Sequence, residues 1–362
     1  MKNDGDINSA ARHKRVAVCT LGCKMNRADS EAILESFEKR GWTSVPFSDE
    51  ADVYIVNTCT VTGPSDHQAR QLLRRALKRK EDHGAIVVAT GCYAQTDPAG
   101  LRGFLPDVDL VAGNLEKDGI ADTVEKLISG RPGAGDTIGD ISSARVFAPA
   151  DTGGFRGMTR AYLRVQDGCD NRCAYCIVPF ARGPSRSAPP ELITAQARAL
   201  AAAGHKEIII TGIHAGRYGL DLSPRTSLAA LLRTLHAMPE LGRLRLSSIE
   251  PREITDELLE TVRDLPRLCP HFHISLQSGD AGVLRRMNRH YTPEDFAVVA
   301  AELRRIRPDI SIGADIIAGF PGETEQEFEN TCRFVQDTAL SYMHIFRYSP
   351  RPGTAAAAMP DQ

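Results

Sequence analysis

Residues 160–176, RAYLRVQDGCDNRCAYC, join a short apolar run to three cysteines in the spacing CxxxCxxC. RAYLRVQ predicts a β-strand, so Cys169, Cys173 and Cys176 fall on the loop beyond its end. Such spacing gathers three thiolates on one compact loop. Structural zinc takes four protein ligands, and no fourth cysteine or histidine stands close in sequence, so the trio favours an iron–sulfur cluster over zinc. Three thiolates on a four-iron cluster leave one iron without a protein ligand, and an open iron is where chemistry occurs. Tyr175, between the last two cysteines, adds an aromatic shield.

Toward the C-terminus the pattern continues as strand and helix in alternation. EIIIT, RLRLSS, HFHISL, ISIGADII and YMHIFRY predict further strands. PPELITAQARALAAAG, SLAALLRTLHAM, TDELLETVRDL, TPEDFAVVAAELRRI and ETEQEFENTCRFVQD predict the helices between them. Six strands with five intervening helices suit a barrel-like parallel sheet, closed or partly open. Toward the N-terminus, RVAVCT, DVYIVN and AIVVAT read as buried strands, followed by helices in ADSEAILESFEKR, PSDHQARQLLRRALKRK and LEKDGIADTVEKLIS. The expected class is therefore α/β: an open parallel-sheet (Rossmann/flavodoxin-like) domain over 15–130, a Gly/Pro/Ser-rich linker over 131–154, and a partial (β/α)6 barrel over 155–355.

The N-terminal strands carry a second trio. Cys23 follows the first strand, Cys59 ends the second and Cys92 follows the third. Strands of a parallel sheet end at one edge, where open α/β sheets bind ligands, so the three converge in space. Soft thiolates suit an Fe–S cluster, Cu(I) or zinc. Gly22 and Gly91 let the backbone turn tightly just before two of them. The competing reading is that each is a small buried hydrophobe. That reading is kept for Cys19, Cys269 and Cys332, which have no partners at ligand spacing.

Composition narrows the setting. Hydrophobic residues make up 42% and charged residues 25% of 362, as in an ordinary globular protein. No apolar run approaches the ~20 residues that span a bilayer, and MKNDGDINSAARHKR carries no apolar signal segment. Nine cysteines without one point to a reducing compartment, hence the cytoplasm, with no membrane partner. A net charge of −2 gives no global affinity for nucleic acid, so any RNA surface must be local. Arg70, Arg74 and Lys78 recur at i, i+4 and i+8 on one predicted helix, with Arg75 and Arg79 beside them. That face suits an RNA backbone, although charge runs are usually solvated faces. Arg285, Arg286 and Arg289 form a weaker basic cluster.

CDNRCAYC after a strand that opens a six-strand βα domain resembles the radical S-adenosylmethionine (SAM) enzymes. The resemblance implies that the open iron holds the amino and carboxylate groups of SAM, and that an electron from the cluster splits the sulfonium to a 5′-deoxyadenosyl radical. It also implies SAM contacts along the barrel rim: Tyr175 near the cluster, Thr211 and Gly212 in TGIHAG, Ser248 and Glu250 in SSIEP, Gln277 in SLQSGD, and Gly319 in GADIIAGFPGE. No residue is singled out as a catalytic acid or base.

The whole chain resembles the radical SAM methylthiotransferases. TLGCKMNRADSE, VNTCTVTG, TGCYAQ, LRVQDGCDNRCAYCIVPFARGPSRS, HISLQSGD, RRMNRHYT, DIIAGFPGETEQEF and FRYSPRPGT carry that likeness from about residue 15 to 355. It implies two 4Fe–4S clusters and two uses of SAM. One SAM methylates a sulfur at the N-terminal cluster; a second, split at the barrel cluster, activates a C–H carbon that receives the methylthio group. An electron donor such as flavodoxin or ferredoxin is implied, with the sulfur donor unspecified and a monomer expected. TLGCK with NTCTVT resembles the branch that modifies N6-threonylcarbamoyladenosine at position 37 of the tRNA anticodon loop. The alternatives are the isopentenyladenosine-37 branch, which more often shows GCQMN, the branch that modifies an aspartate of ribosomal protein S12, and a non-catalytic Fe–S redox protein. Family members generally continue into a β-rich RNA-binding TRAM domain, which this sequence is expected to lack because it ends at Gln362.

Overall fold

The computed structural model describes residues 14–149 and 153–362. The segment 1–13, which carries most of the signal-peptide reading, and three linker positions lie outside the described residues. Strands β1 (Arg15–Thr20), β2 (Thr43–Ser44), β3 (Val53–Thr58), β4 (Ile86–Gly91) and β5 (Leu110–Ala112) form one sheet in the order β2-β1-β3-β4-β5. Every pairing in it is parallel. Helices α1 (Lys24–Glu38), α2 (Gly63–His83), α3 (Cys92–Thr96), α4 (Pro98–Phe104) and α5 (Ile120–Ile128) supply the crossovers. The β3 run VYIVNT is buried throughout because helices cover both faces of the sheet. The sequence pattern misses β2, α3, α4 and β5, all seven residues or shorter and too brief to show a period. It also starts α1 four residues late, since KMNR lacks an apolar stripe.

The second half contains β6 (Arg160–Arg164), β7 (Gln166–Asp167), β8 (Arg186–Ser187), β9 (Glu207–Thr211), β10 (Arg243–Leu246), β11 (Ser248–Ile249), β12 (His271–Gln277), β13 (Ser311–Ala318) and β14 (Tyr342–Arg347). Its helices are α6 (Val178–Arg182), α7 (Pro190–Ala202), α8 (Leu228–His236), α9 (Asp256–Asp264), α10 (Ala281–Arg286), α11 (Pro293–Ile306) and α12 (Glu325–Thr338). The chain order β6-α7-β9-α8-β10-α9-β12-α11-β13-α12-β14 makes a (β/α)6 unit. Its sheet runs in two parallel arcs, β10-β9-β6 and β11-β12-β13-β14, joined by the bridge Leu244↔Leu268. Strands β6 and β14 are edges, so the barrel is partial.

Alternation along the strands sorts the residues. Leu163, Ile208, Ile210, Leu244, Phe272, Ile274, Ile312 and Ala314 pack outward against Ile193, Leu231, Leu258 and Phe296 of the helices. The opposite positions, including Glu207, Arg245, His273 and Asp315, face the lumen and interact there. Helix α1 packs on β6, and α3 packs on α6, so the two halves meet at the strand ends that carry the cysteines. The C-terminal SPRPGT segment fastens the same junction: Arg351 donates to Thr60 at 2.7 Å and pairs with Asp66, while Ser349 accepts from the Gly63 N–H at 2.9 Å.

Candidate iron–sulfur and SAM site

Two glycines fix the N-terminal trio. Gly22 has φ +94°, and a Cβ added there would lie 2.8 Å from the Cys59 Cβ and 2.9 Å from its sulfur. Gly91, at φ +95°, presses on the end of β3, where a Cβ would lie 2.6 Å from the Thr58 nitrogen. Both backbones approach closely because no side chain intervenes, and this brings the loops of Cys23, Cys59 and Cys92 to one point of the sheet edge. Asn26 ties the edge together, donating to the Leu21 carbonyl at 2.8 Å and the Thr58 carbonyl at 2.9 Å. The Cys92 sulfur lies 3.9 Å from Asn114 Nδ2 and 4.0 Å from Asn26 Oδ1. Cys59 and Cys92 are buried, whereas Cys23 is exposed at the mouth. Burial, reinforced by the neighbouring Cys92, pushes the Cys59 thiol up to about 11, so a metal must displace its proton.

Gly91→Ala is expected to unfold at lower urea than the parent, by about 1–3 kcal/mol from backbone strain alone, with the Thr58 contact adding to it. Gly41→Ala is the control: its φ is +79° with nothing within 4 Å of the added Cβ. If both cost the same, the close approach at β3 contributes nothing.

The barrel trio occupies the β7 loop. The Cys173 sulfur accepts from Arg289 Nη1 at 3.0 Å, and Arg289 Nη2 reaches Glu250 at 2.8 Å. Glu250 also accepts from Asn171 Nδ2 at 3.0 Å. The Cys169 sulfur lies 3.5 Å from His214 Nδ1, whose other nitrogen meets Glu253. Burial alone would lower the His214 pKa, but hydrogen bonds to Cys169 and Glu253 push it up to about 10. Burial, with Cys173 close by, pushes the Cys176 thiol up to about 12.

The donor sets fit a cluster better than a single ion. Among the described residues the only group of three ligand atoms within 4.8 Å of one another is His273, Asp315 and His344. Neither cysteine trio closes that tightly. A four-iron cube needs thiolates spread around three of its corners, wider than the ligands of one zinc.

The rim residues expected near SAM occupy strand ends. Thr211 closes β9 and is buried, and Gly212 sits against Gln166, where a Cβ would be 2.9 Å from Oε1. Gln166 in turn accepts from the His214 N–H at 2.8 Å. Ser248 is exposed on β11, while Glu250 is already held by Asn171 and Arg289 beside the cysteine loop. Gln277 has φ +67° after a register shift in β12, a strained backbone of the kind found at functional sites. Gly319, at φ +74°, has open space where a Cβ would be, and its N–H donates to Glu323 at 2.6 Å. Tyr175 packs against the cluster of Ala174, Val283, Leu284 and Met287.

The basic residues divide. Arg74, Arg75 and Lys78 are exposed on α2. Arg70 lies over Tyr93 and Phe104, and Arg79 over Tyr54, so both cover their own fold. The second basic cluster is corrected by the structure. Arg289 is buried and holds Cys173 and Glu250, and Arg286 is taken by Glu327 at 2.8 Å. Only Arg285 of that cluster is exposed. A helical register cannot distinguish these, because Glu327 lies 41 residues from Arg286 and Cys173 lies 116 residues from Arg289. Cys332 is likewise exposed rather than part of the core, while Cys269 is buried.

Sequence reasoning also missed the polar junction between the trios. Asp29 of α1 pairs with Arg164 at 2.7 Å, with Arg182 at 2.9 Å and with Lys117. Asp167 pairs with Arg182 at 3.2 Å, Arg164 at 3.3 Å and Arg186 at 3.5 Å. Arg182 also donates to Asn26 Oδ1 and interacts electrostatically with Cys92 and Cys23. The only sequence signal was an excess of arginine around CIVPFARGPSRS.

This fold, with a CxxxCxxC loop at the open end of a partial barrel, defines a radical SAM enzyme. Residues 163–335 match the Radical SAM superfamily, and residues 15–113 match the Uncharacterized protein family UPF0004. The chain is 42% identical over 96% of its length to the threonylcarbamoyladenosine tRNA methylthiotransferase MtaB of Bacillus subtilis, covering 76% of it. It is 38% identical over 96% of its length to the tRNA-2-methylthio-N(6)-dimethylallyladenosine synthase of Geobacter metallireducens, covering 79% of that protein. Among solved structures, the radical SAM methyltransferase TsrM of Kitasatospora setae, bound to cobalamin and a 4Fe–4S cluster, aligns with a TM-score of 0.66 over 93% of this chain and 74% of that one, at 15% identity. That last likeness establishes the fold alone. The chain belongs to the radical SAM methylthiotransferase family, a family of transferases that use SAM and a 4Fe–4S cluster. No helix among the described residues is long and apolar enough to cross a membrane.

Proposed function

We propose that this protein adds a methylthio group to C2 of N6-threonylcarbamoyladenosine at position 37 of tRNA, using two 4Fe–4S clusters and two molecules of SAM. The observation that carries this reading is the second cysteine trio, set against the first through α3 and α6. When bound, SAM and a reduced cluster supply cleavage of the sulfonium to a carbon radical that abstracts hydrogen. Cys169, Cys173 and Cys176 hold that cluster, and Cys23, Cys59 and Cys92 hold the other. Arg289 and His214 donate hydrogen bonds toward Cys173 and Cys169, which favours their thiolate forms. Thr211, Gly212, Ser248, Glu250, Gln277 and Gly319 line the rim and orient SAM. Arg74, Arg75 and Lys78 on α2 carry the exposed charge that meets the tRNA backbone. The threonylcarbamoyl substrate is favoured over the dimethylallyl one by the 42% against 38% identity of the two relatives and by Lys24 after Cys23. The reducing side is a low-potential flavodoxin or ferredoxin, in the cytoplasm.

Anaerobically reconstituted protein should bind about eight irons per chain. Incubated with tRNA, SAM and dithionite, it should yield 2-methylthio-N6-threonylcarbamoyladenosine by nucleoside mass spectrometry. About four irons with no methylthio nucleoside, or the mark on the dimethylallyl base alone, would defeat the reading.

A further inference from the structure

The barrel lumen carries a polar ring that the chemistry above does not use. His273 Nε2 lies 3.0 Å from Asp315 Oδ1, and His344 Nδ1 lies 3.3 Å from the same oxygen. The Tyr342 hydroxyl sits between His273 Nδ1 at 3.1 Å and His271 Nε2 at 2.8 Å. A phenol has one proton, so it donates to only one of the two imidazoles. At the starts of β9 and β10, Glu207 is taken up by Arg245 and Arg243, each at 2.7 Å. Lys24, the residue after Cys23 at the start of α1, interacts electrostatically with this ring through Asp315, which attracts it, and His271; Cys23 also attracts it, while Arg245 and Arg160 repel it. Lys24 is exposed, and the His344 side chain is 58% exposed on the edge strand β14, so the ring is open to solvent.

Four cations, Lys24, Arg160, Arg243 and Arg245, interact among themselves and with two carboxylates, Glu207 and Asp315, a balance that suits a ligand with a negative end. A carboxylate and two imidazoles side by side suit a ligand with hydroxyl or amide hydrogens. The appendage of threonylcarbamoyladenosine has both: a free carboxylate, and a hydroxyl beside urea N–H groups. A dimethylallyl group has neither and would leave these polar groups unpaired. We propose that Lys24, His273, Asp315 and His344 form the pocket for the threonine end of the substrate's appendage, with Lys24 binding its carboxylate and the Asp315–histidine cluster binding its hydroxyl and N–H groups. This assignment rests on the substrate reading given above. Lys24 and His344 are then specificity-determining residues, and Lys24 couples the appendage to the loop of Cys23.

The test compares binding of reconstituted, SAM-loaded protein to two anticodon stem-loop RNAs, with threonylcarbamoyladenosine or plain adenosine at position 37. The parent should prefer the modified RNA by about tenfold or more, the worth of a charge-assisted contact. Lys24→Gln and His344→Ala should each bring the ratio toward one, and Lys24→Arg should keep most of it. A parent that prefers the modified RNA, with the preference intact in both Lys24→Gln and His344→Ala, overturns the pocket and leaves the substrate reading standing. A parent without preference overturns the substrate reading and the pocket with it. Stoichiometric Co2+ bound by the parent, seen by its visible spectrum and lost in His344→Ala while the RNA ratio holds, makes the ring a metal site instead.

Discussion

Cys173→Ala is expected to lose reductive SAM cleavage, with 5′-deoxyadenosine falling by more than about a hundredfold, since even the loss of an outer partner of a metal ligand costs 10- to 100-fold. Cys173 is the one cysteine of its loop held by a buried guanidinium, Arg289 at 3.0 Å, and that guanidinium keeps Glu250 as a partner when the sulfur is removed. The fold should therefore survive and the chemistry should not. Cys59→Ala should do the opposite: SAM cleavage persists, while methylthio transfer to tRNA ceases. Chromatography of 5′-deoxyadenosine and mass spectrometry of the tRNA nucleosides read the two outcomes separately. Equal loss of both activities in both variants would contradict the division of labour between the trios.

The cysteines and the strand–helix alternation were legible because they are local. CxxxCxxC lies within eight residues, and each principal strand is a short run with apolar residues at every other position or throughout. The equivalence of Cys23, Cys59 and Cys92 followed from parallel topology alone, because loops after successive strands share an edge. The partners of charged side chains were not legible. Arg289 and Arg286, three residues apart on paper, separate into a buried holder of Cys173 and a surface pair with Glu327. Asp29 looks like an ordinary helix-surface residue in NRADSE until α1 is laid on β6. Such contacts span 41, 116 and 135 residues, and no local period encodes them.

Asp29→Asn should lower stability by about 3–5 kcal/mol, the usual cost of removing one partner from a buried charge cluster. Asp29 is fully buried and is the shared partner of Lys117, Arg164 and Arg182. Burial by itself would raise its pKa, but the three cations, Lys117 foremost, more than reverse this and hold the carboxyl far below the usual range. The unfolded chain therefore binds a proton near pH 3.9 that the folded chain refuses. The stabilisation is complete above about pH 5 and is lost as the pH falls toward the folded value, by about 1.4 kcal/mol per unit once below the unfolded pKa. Urea midpoints should drop in acid more steeply for the parent than for Asp29→Asn, whose amide does not titrate. Adding Lys117→Met to Asp29→Asn should recover part of the loss, because it removes a buried cation that has no remaining carboxylate. Parallel acid limbs in parent and variant would show that the Asp29 cluster does not carry the junction. The same ion-pair group sets Arg182 within electrostatic reach of Cys23 and Cys92, so loosening it should also slow iron–sulfur assembly at the proposed N-terminal site before it affects the barrel one.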